Sequence, residues 1–348
     1  MTAGELVGRL SEKAAADMGL PPGIAVGTGV IDAYAGWIGT VGAKVQLDSE
    51  SLNTDVPKND ISQAFTRLAA VAGTSTCHLA MSEKPVFVNG VWGPYRDVLI
   101  PDYWMAEGGQ SATGELLKHV LETHPAFHET MSAAATASNA NIYDYLNSHL
   151  EEMATKANAP SISWLGRHFF FYGDLFGNRS PIADPSMRGS VIGLSSDKSI
   201  DGLALYYYAT MEFIALQTHQ IIERMNQSGH SIASIFMSGS QCQNAILMDL
   251  IATACNMPVL IPKYVHAAVV HGAAMLGAKA ASTDKDGKSE SLWSIMDRMS
   301  KPGKAVYPSR NEGEKKLLQA KYKVFLEMCE RQQTFRKEVD EAIAGWTK

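Results

Sequence analysis

Val71-Ala72-Gly73-Thr74-Ser75-Thr76-Cys77-His78 is the stretch around which the chain is organised. Apolar residues run into Gly73, three small hydroxyl residues follow, and an extended Cys77–Met81 segment leaves. Gly73 permits tight backbone geometry, and Thr74, Ser75 and Thr76 set hydroxyls beside exposed backbone N–H groups. A hairpin needs this to hold phosphate oxygens. Such turns are common and most bind nothing, so the phosphate reading takes its weight from the elements around it.

Leu68–Ala72 and Cys77–Met81 read as the strands that flank the turn. Upstream, Ile24-Ala25-Val26 predicts a short strand running into Gly27-Thr28-Gly29. A helix begins near Ile31 and carries Ala33, Ala35, Gly36, Gly39 and Gly42, small residues that let another backbone come close. Its first turn holds one acid, Asp32, which the helix N-terminus favours; residues alone read it first as a cap. Leu6, Leu10 and Ala14 share a helical face, stopped by Gly19 and Pro21-Pro22. Downstream, Val86-Phe87-Val88 and Val91-Trp92 flank Asn89-Gly90, a strong hairpin signal. Tyr103-Trp104-Met105 predicts a further strand, and Glu107-Gly108-Gly109-Gln110-Ser111 leads to a helix over Leu116 to Leu121.

From about Asn141 to Ser199 the pattern changes. An amphipathic helix (Tyr143, Leu146, Leu150, Met153) precedes an aromatic segment and a loop dense in Gly, Pro, Asn and Asp, Gly173 to Pro181 and on to Gly189. That composition means turn chemistry and reads as an insertion. After it a helix from Leu203 to Met225 ends at Gly229. A strand over Ile232–Met237 follows, then Ser238-Gly239-Ser240-Gln241, a helix over Ala245–Ala254, a strand Val259-Leu260-Ile261 and a helix from Ala267 to Ala281. This alternation calls for parallel strands with crossover helices. Two glycine turns thus follow strands, Gly73–Thr76 and Ser238–Ser240, and ligands of open α/β sheets gather at such junctions. Together they suggest a nucleotide site.

The bulk properties narrow the class. The chain has 348 residues, 46% hydrophobic and 19% charged, with a net charge of −6. It is globular, long enough for a large core, and carries no Lys/Arg run for a nucleic-acid groove. Cys77, Cys242, Cys255 and Cys329 lie far apart, which suggests neither a disulfide framework nor a zinc site. No apolar run reaches membrane-spanning length, and Met1–Glu5 lacks the pattern of a signal peptide, so the expected location is cytoplasmic. His124 and His128, four apart, are separated by Pro125, which favours surface histidines at a helix end over a metal pair. Tyr206-Tyr207-Tyr208 points three ways around a helix and reads as core packing.

Gly73–His78, Glu107–Gly114, Gly177-Asn178-Arg179-Ser180-Pro181 and His271-Gly272-Ala273-Ala274 occur in the order seen in the FGGY carbohydrate kinases, and the sequence most resembles the ribulokinase branch. The resemblance covers roughly Gly23 to Ala281. It implies an α/β fold: the C-terminal lobe of the ribonuclease-H-like, actin-like ATPase architecture, a mixed sheet with helices and a family insertion. On that reading, residues 1–65 are the end of an N-terminal lobe and the interlobe hinge. Residues 66–285 are the ATP-binding domain, and 286–348 a polar linker and helical tail. The implied activity is ATP-dependent phosphorylation of a carbohydrate hydroxyl, a pentulose of ribulose type, with ATP and Mg2+ as cofactors. Asp32 falls where the family has its catalytic base. Gly73, Thr74, Ser75 and Thr76 match its second phosphate hairpin, and Gly114 lies where the family seats the nucleotide. Met237–Asn244 matches the adenosine motif, with Gly239 retained and Ser238 where the family usually has a first glycine. Adenine contact through Gln243 or Asn244 is left open.

The family's N-terminal lobe carries an Asp-x-Gly-Thr loop for phosphate and magnesium, and this chain contains none. The chain is therefore expected to correspond to the C-terminal part of a ribulokinase-like enzyme. The alternative function is a truncated, non-catalytic nucleotide-binding or regulatory fragment. An actin- or chaperone-type ATPase is disfavoured by Gly177–Pro181. Beyond the sugar no macromolecular partner is implied; a homodimer is compatible, and oligomeric state and sugar identity are left open.

Overall fold

The computed structural model describes residues 1–44, 60–137 and 141–346. Residues 45–59 of the expected hinge segment lie outside the described residues. The chain divides into two units. The first comprises Met1–Gly109, Ile222–Cys242 and Met257–Val306; the second comprises Gln110–Ile221, Gln243–Asn256 and Tyr307–Lys348.

In chain order the first unit opens with β1 (Leu6–Arg9), α1 (Glu12–Met18), β2 (Ala25–Gly27) and α2 (Asp32–Val41). The helix expected from Leu6 starts later. Ser11 caps α1 by accepting from Ala14 N–H, which releases Leu6–Arg9 to pair antiparallel with β2. Four strands follow, β3 (Arg67–Ala72), β4 (Thr76–Ser82), β5 (Trp92–Arg96) and β6 (Trp104–Gln110). The Asn89-Gly90 turn forms, with Val91 N–H donating to the Val88 carbonyl, but Val86–Val88 is not a strand. The partner of β5 is β6, so tertiary pairing overrides the local hairpin signal.

The second unit contributes α3 (Gly114–Thr123), α4 (Phe127–Thr136), α5 (Ile142–Lys156), β7 (Phe170–Tyr172), β8 (Ser190–Ile192) and most of α6 (Ile200–Gln227). Next in the chain come β9 (Ser234–Ser238), α7 (Ala245–Cys255), β10 (Val259–Ile261), α8 (Ala268–Ala281), α9 (Leu292–Met299), β11 (Lys304–Val306) and α10 (Glu312–Ile343). Of these, α7 and α10 belong to the second unit. Within the segment 286–348, expected as linker and helical tail, lie α9 and the unforeseen β11; Leu292, Trp293, Ile295 and Met296 bury one face of the two-turn α9.

The first unit is built on a seven-stranded sheet of order β11-β10-β9-β3-β4-β6-β5. Strands β3, β9 and β10 are parallel, and the flanking pairs β3–β4, β5–β6 and β10–β11 are antiparallel. Helix α2 is apolar all round because it is buried all round, with Trp37, Ile38 and Val41 fully enclosed. Its small residues permit a backbone-to-backbone crossing with α8. A Cβ on Gly39 would lie 2.0 Å from the Ala268 carbonyl oxygen, and one on Gly272 would lie 1.9 Å from the Ala35 carbonyl oxygen.

The second unit has an aromatic core in which Phe213 packs against Tyr172 and Phe325 at ring separations of 5.6 and 5.9 Å. Tyr207 and Tyr208 are buried. Helix α10 is tied down by a buried ion pair, Lys321 Nζ to Glu212 Oε1 at 2.6 Å. The same ammonium donates to the carbonyls of Gly166 and Phe169, and Tyr208 donates its hydroxyl to Glu212. The tail therefore packs on its own unit.

Candidate nucleotide site

In the first unit, parallel pairing of β3 with β9 sets Val71 opposite Ser238. The two strands end together, so the turn after β3 and the junction after β9 emerge at one edge of the sheet. The β3–β4 turn is Gly73-Thr74-Ser75, closed by Gly73 N–H donating to the Ser75 carbonyl at 2.9 Å. Gly73 and Thr74 are exposed, Ser75 is half-buried and Thr76 is buried in β4. A Cβ on Gly73 would meet no heavy atom within 4 Å, so the glycine keeps the mouth of the turn open.

The conformational demand for glycine falls on Gly239. Its φ is +101°, in the region L side chains avoid, and a Cβ there would lie 1.9 Å from the Ala72 carbonyl oxygen. Gly239 also donates its N–H to the Val265 carbonyl at 3.2 Å, tying in the segment that follows β10. Two residues on, Gln241 Nε2 donates to the Gly73 carbonyl at 2.7 Å. Three loops are thus bound to one another by backbone contact and one buried amide.

Asp32 is the first residue of α2 and is exposed. Its Oδ1 accepts from Ala33 N–H at 2.7 Å, which leaves Oδ2 toward solvent. One turn further, a Cβ on Gly36 would lie 2.8 Å from Val71 Cγ2, so the N-terminal half of α2 rests on the last residues of β3. The helix carrying Asp32 and the strand feeding the Gly73–Thr76 turn are parts of one rigid packing unit.

The matching family model is the FGGY family of carbohydrate kinases, C-terminal domain, over residues 68–281. The chain belongs to this family. A D-ribulokinase of Saccharomyces cerevisiae is 54% identical over 287 residues, which are 82% of this chain and 40% of that protein. The human FGGY carbohydrate kinase domain-containing protein is 41% identical over 94% of this chain and 56% of its own length. The fold matches a xylulose kinase from Rhodospirillum rubrum with a TM-score of 0.67 at 18% identity, covering 96% of this chain and 57% of that one. The chain spans about half the length of the relatives it matches.

The remaining expected residues lie in the second unit. Gly114 is the first residue of α3, following the buried Thr113. Gln243 is exposed, whereas Asn244 is structurally committed: its Oδ1 caps α7 by accepting from Leu247 N–H at 3.2 Å. Asn244 Nδ2 donates to the Tyr207 hydroxyl at 2.6 Å, Tyr207 donates to Asn147 Oδ1, and Asn147 Nδ2 returns to Asn244 Oδ1. Residue reading left Gln243 and Asn244 level; this closed ring occupies the Asn244 amide.

The Gly177–Pro181 loop is organised by an acid that motif reading did not single out. Asp174 is buried and accepts from the Tyr172 hydroxyl, Asn178 Nδ2 and Gln217 Nε2 at 2.7–2.8 Å. Burial pushes its carboxyl upward in pKa, against those three donors. Ser111 Oγ donates to the Gly177 carbonyl at 2.7 Å. Gln241 and Asp174 both lie in turn-rich stretches of the sequence, which lacks the partner that gives each its role.

Proposed function

We propose that this chain supplies the ATP-binding part of a carbohydrate kinase that phosphorylates a hydroxyl of a pentulose of ribulose type. The observation that carries the reading is the shared sheet edge, where the Gly73–Thr76 hairpin and the Gly239 junction are locked together beside the helix bearing Asp32. The 54% identity to a D-ribulokinase supports the choice of sugar. Residues 1–65 would then be the end of an N-terminal lobe and its hinge, 66–285 the ATP-binding domain, and 286–348 the linker and tail. No described helix is long and apolar enough to cross a membrane, which is compatible with the cytoplasmic location proposed here.

The residues fit a nucleotide polyphosphate. The open space over Gly73 leaves room for phosphate oxygens, and the exposed Thr74 hydroxyl is a donor beside it. Gly239 brings the junction against that turn. Mg2+ would come with the phosphates and be held largely by their oxygens. Among the described residues no cluster of three His, Cys, Asp or Glu side chains is arranged to bind it.

Asp32 acts as general base. Its free oxygen accepts the proton of the sugar hydroxyl as that oxygen bonds to phosphorus and the bond to the departing ADP oxygen breaks. Positioning and charge neutralisation supply most of the rate in such transfers. The chain contains no Asp-x-Gly-Thr segment and spans 40% of the yeast D-ribulokinase. Those two facts favour a second reading for the isolated chain, nucleotide binding without turnover.

A coupled ADP-release assay with ATP and D-ribulose, run beside calorimetry with ADP, separates the two. Turnover that Asp32→Asn abolishes, with ADP affinity unchanged, is the expected result for the kinase. ADP binding without turnover supports the second reading, and absence of ADP binding refutes both.

A further inference from the structure

We infer that Gln241 is a positioning residue for the phosphate hairpin, holding the Gly73–Thr76 turn in its oxyanion-binding form for a nucleoside polyphosphate. The inference deepens the proposed function and rests on its reading of that turn. A loop that holds phosphates must aim N–H groups at its mouth and keep its carbonyl oxygens elsewhere, because a carbonyl facing an oxyanion repels it. Two polar groups of Gly73 decide this. Its N–H is spent inside the turn on the Ser75 carbonyl. Its carbonyl, the first beyond the β3 ladder, is taken by Gln241 Nε2 at 2.7 Å.

The amide that makes this bond is well fixed. Gln241 is 7% exposed, so its side chain has little freedom to leave the Gly73 carbonyl for solvent. Its backbone is set two residues earlier by Gly239, whose missing side chain allows contact with Ala72 and whose N–H binds the Val265 carbonyl. The sheet adds the pairing of Val71 with Ser238 immediately before both loops. Strand register, glycine contact and the Gln241 amide therefore act in sequence along one path. The last of them is a side-chain contact on the turn's own carbonyl, and it ties the loop to the junction.

The test compares Gln241→Met, which keeps the bulk and removes the donor, with the wild-type chain. Calorimetry is run with ADP and, separately, with adenosine. The expected result is ADP affinity lowered about 2- to 10-fold, the effect of losing one neutral hydrogen bond. Adenosine affinity and thermal midpoint stay unchanged. Hydrogen exchange at the amides of Thr74 and Ser75 should accelerate without ligand, while β3 and β4 keep their protection. Equal losses for ADP and adenosine, or unaltered ADP affinity, overturn the inference. If the wild-type chain binds no ADP, the kinase reading fails on that ground. Hydrogen exchange then decides the clamp by itself, with unaltered exchange at Thr74 and Ser75 overturning it.

Discussion

Two glycines of α8, five residues apart, should respond to the same substitution with opposite signs. Replacing a helical glycine by alanine is worth about 1 kcal/mol in backbone entropy and burial where the new methyl meets nothing. Gly277 is such a place, since a Cβ there finds no heavy atom within 4 Å. Gly277→Ala should therefore raise stability by about 0.5–1 kcal/mol. At Gly272 the methyl carbon would lie 1.9 Å from the Ala35 carbonyl oxygen, 2.8 Å from its carbon and 3.0 Å from the Gly39 nitrogen. These are backbone atoms of α2 and have no rotamer to escape into. Restoring ordinary contact requires the helices to separate by more than 1 Å along a crossing that buries Trp37 and Ile38. Overpacking of that kind costs about 1–3 kcal/mol or more, which exceeds the propensity gain. Gly272→Ala should thus be net destabilising by at least about 1 kcal/mol. Urea unfolding of the two variants and the parent, compared at equal slope, measures both signs. A Gly272→Ala chain as stable as Gly277→Ala would show that α2 and α8 do not cross backbone to backbone.

Two other expectations concern the second unit. Lys321→Ala strips the partner from the buried Glu212 carboxylate and should cost about 3–5 kcal/mol in urea unfolding, whereas replacing both residues by Met and Leu should recover most of that loss. The Arg336 guanidinium donates to Asp184 and, with Ser186, holds its carboxyl down to a pKa of about 2. A carboxyl depressed on folding stabilises above its unfolded value and loses that contribution as pH falls through its folded value. The stability gap between the parent and Asp184→Asn should be constant above about pH 5 and narrow as pH falls through 4 toward 2; a gap as wide at pH 2 as at pH 7 would refute the pairing.

The parts of the fold that sequence made legible are those whose cause is local or periodic. The turn at Gly73–Thr76, the β9–α7–β10–α8 alternation and the small-residue face of α2 each follow from short local patterns, and as secondary structure they form where the sequence puts them. The misreadings share a different cause. Leu6 and Leu10 have helical spacing, yet Leu6 pairs with Gly27, 21 positions away. Val86–Val88 adjoins a sound turn, yet β5 takes β6 instead. In both, a long-range partner outbids a local preference worth at most about 1 kcal/mol. The candidate site obeys the same rule. Residue types suggested the turn as a place for phosphate, whereas the requirement for glycine lies at Gly239, because the β3–β9 register brings Ala72 against it. Gln241 sits in the quoted junction with nothing to mark it until Gly73, 168 residues earlier, is seen to accept its amide. Side chains that touch a ligand can be guessed from their own chemistry; side chains that shape the loop which touches it acquire meaning only from a contact. Substitutions at Gln241 should accordingly look neutral to motif matching while altering the part of nucleotide affinity that depends on phosphate.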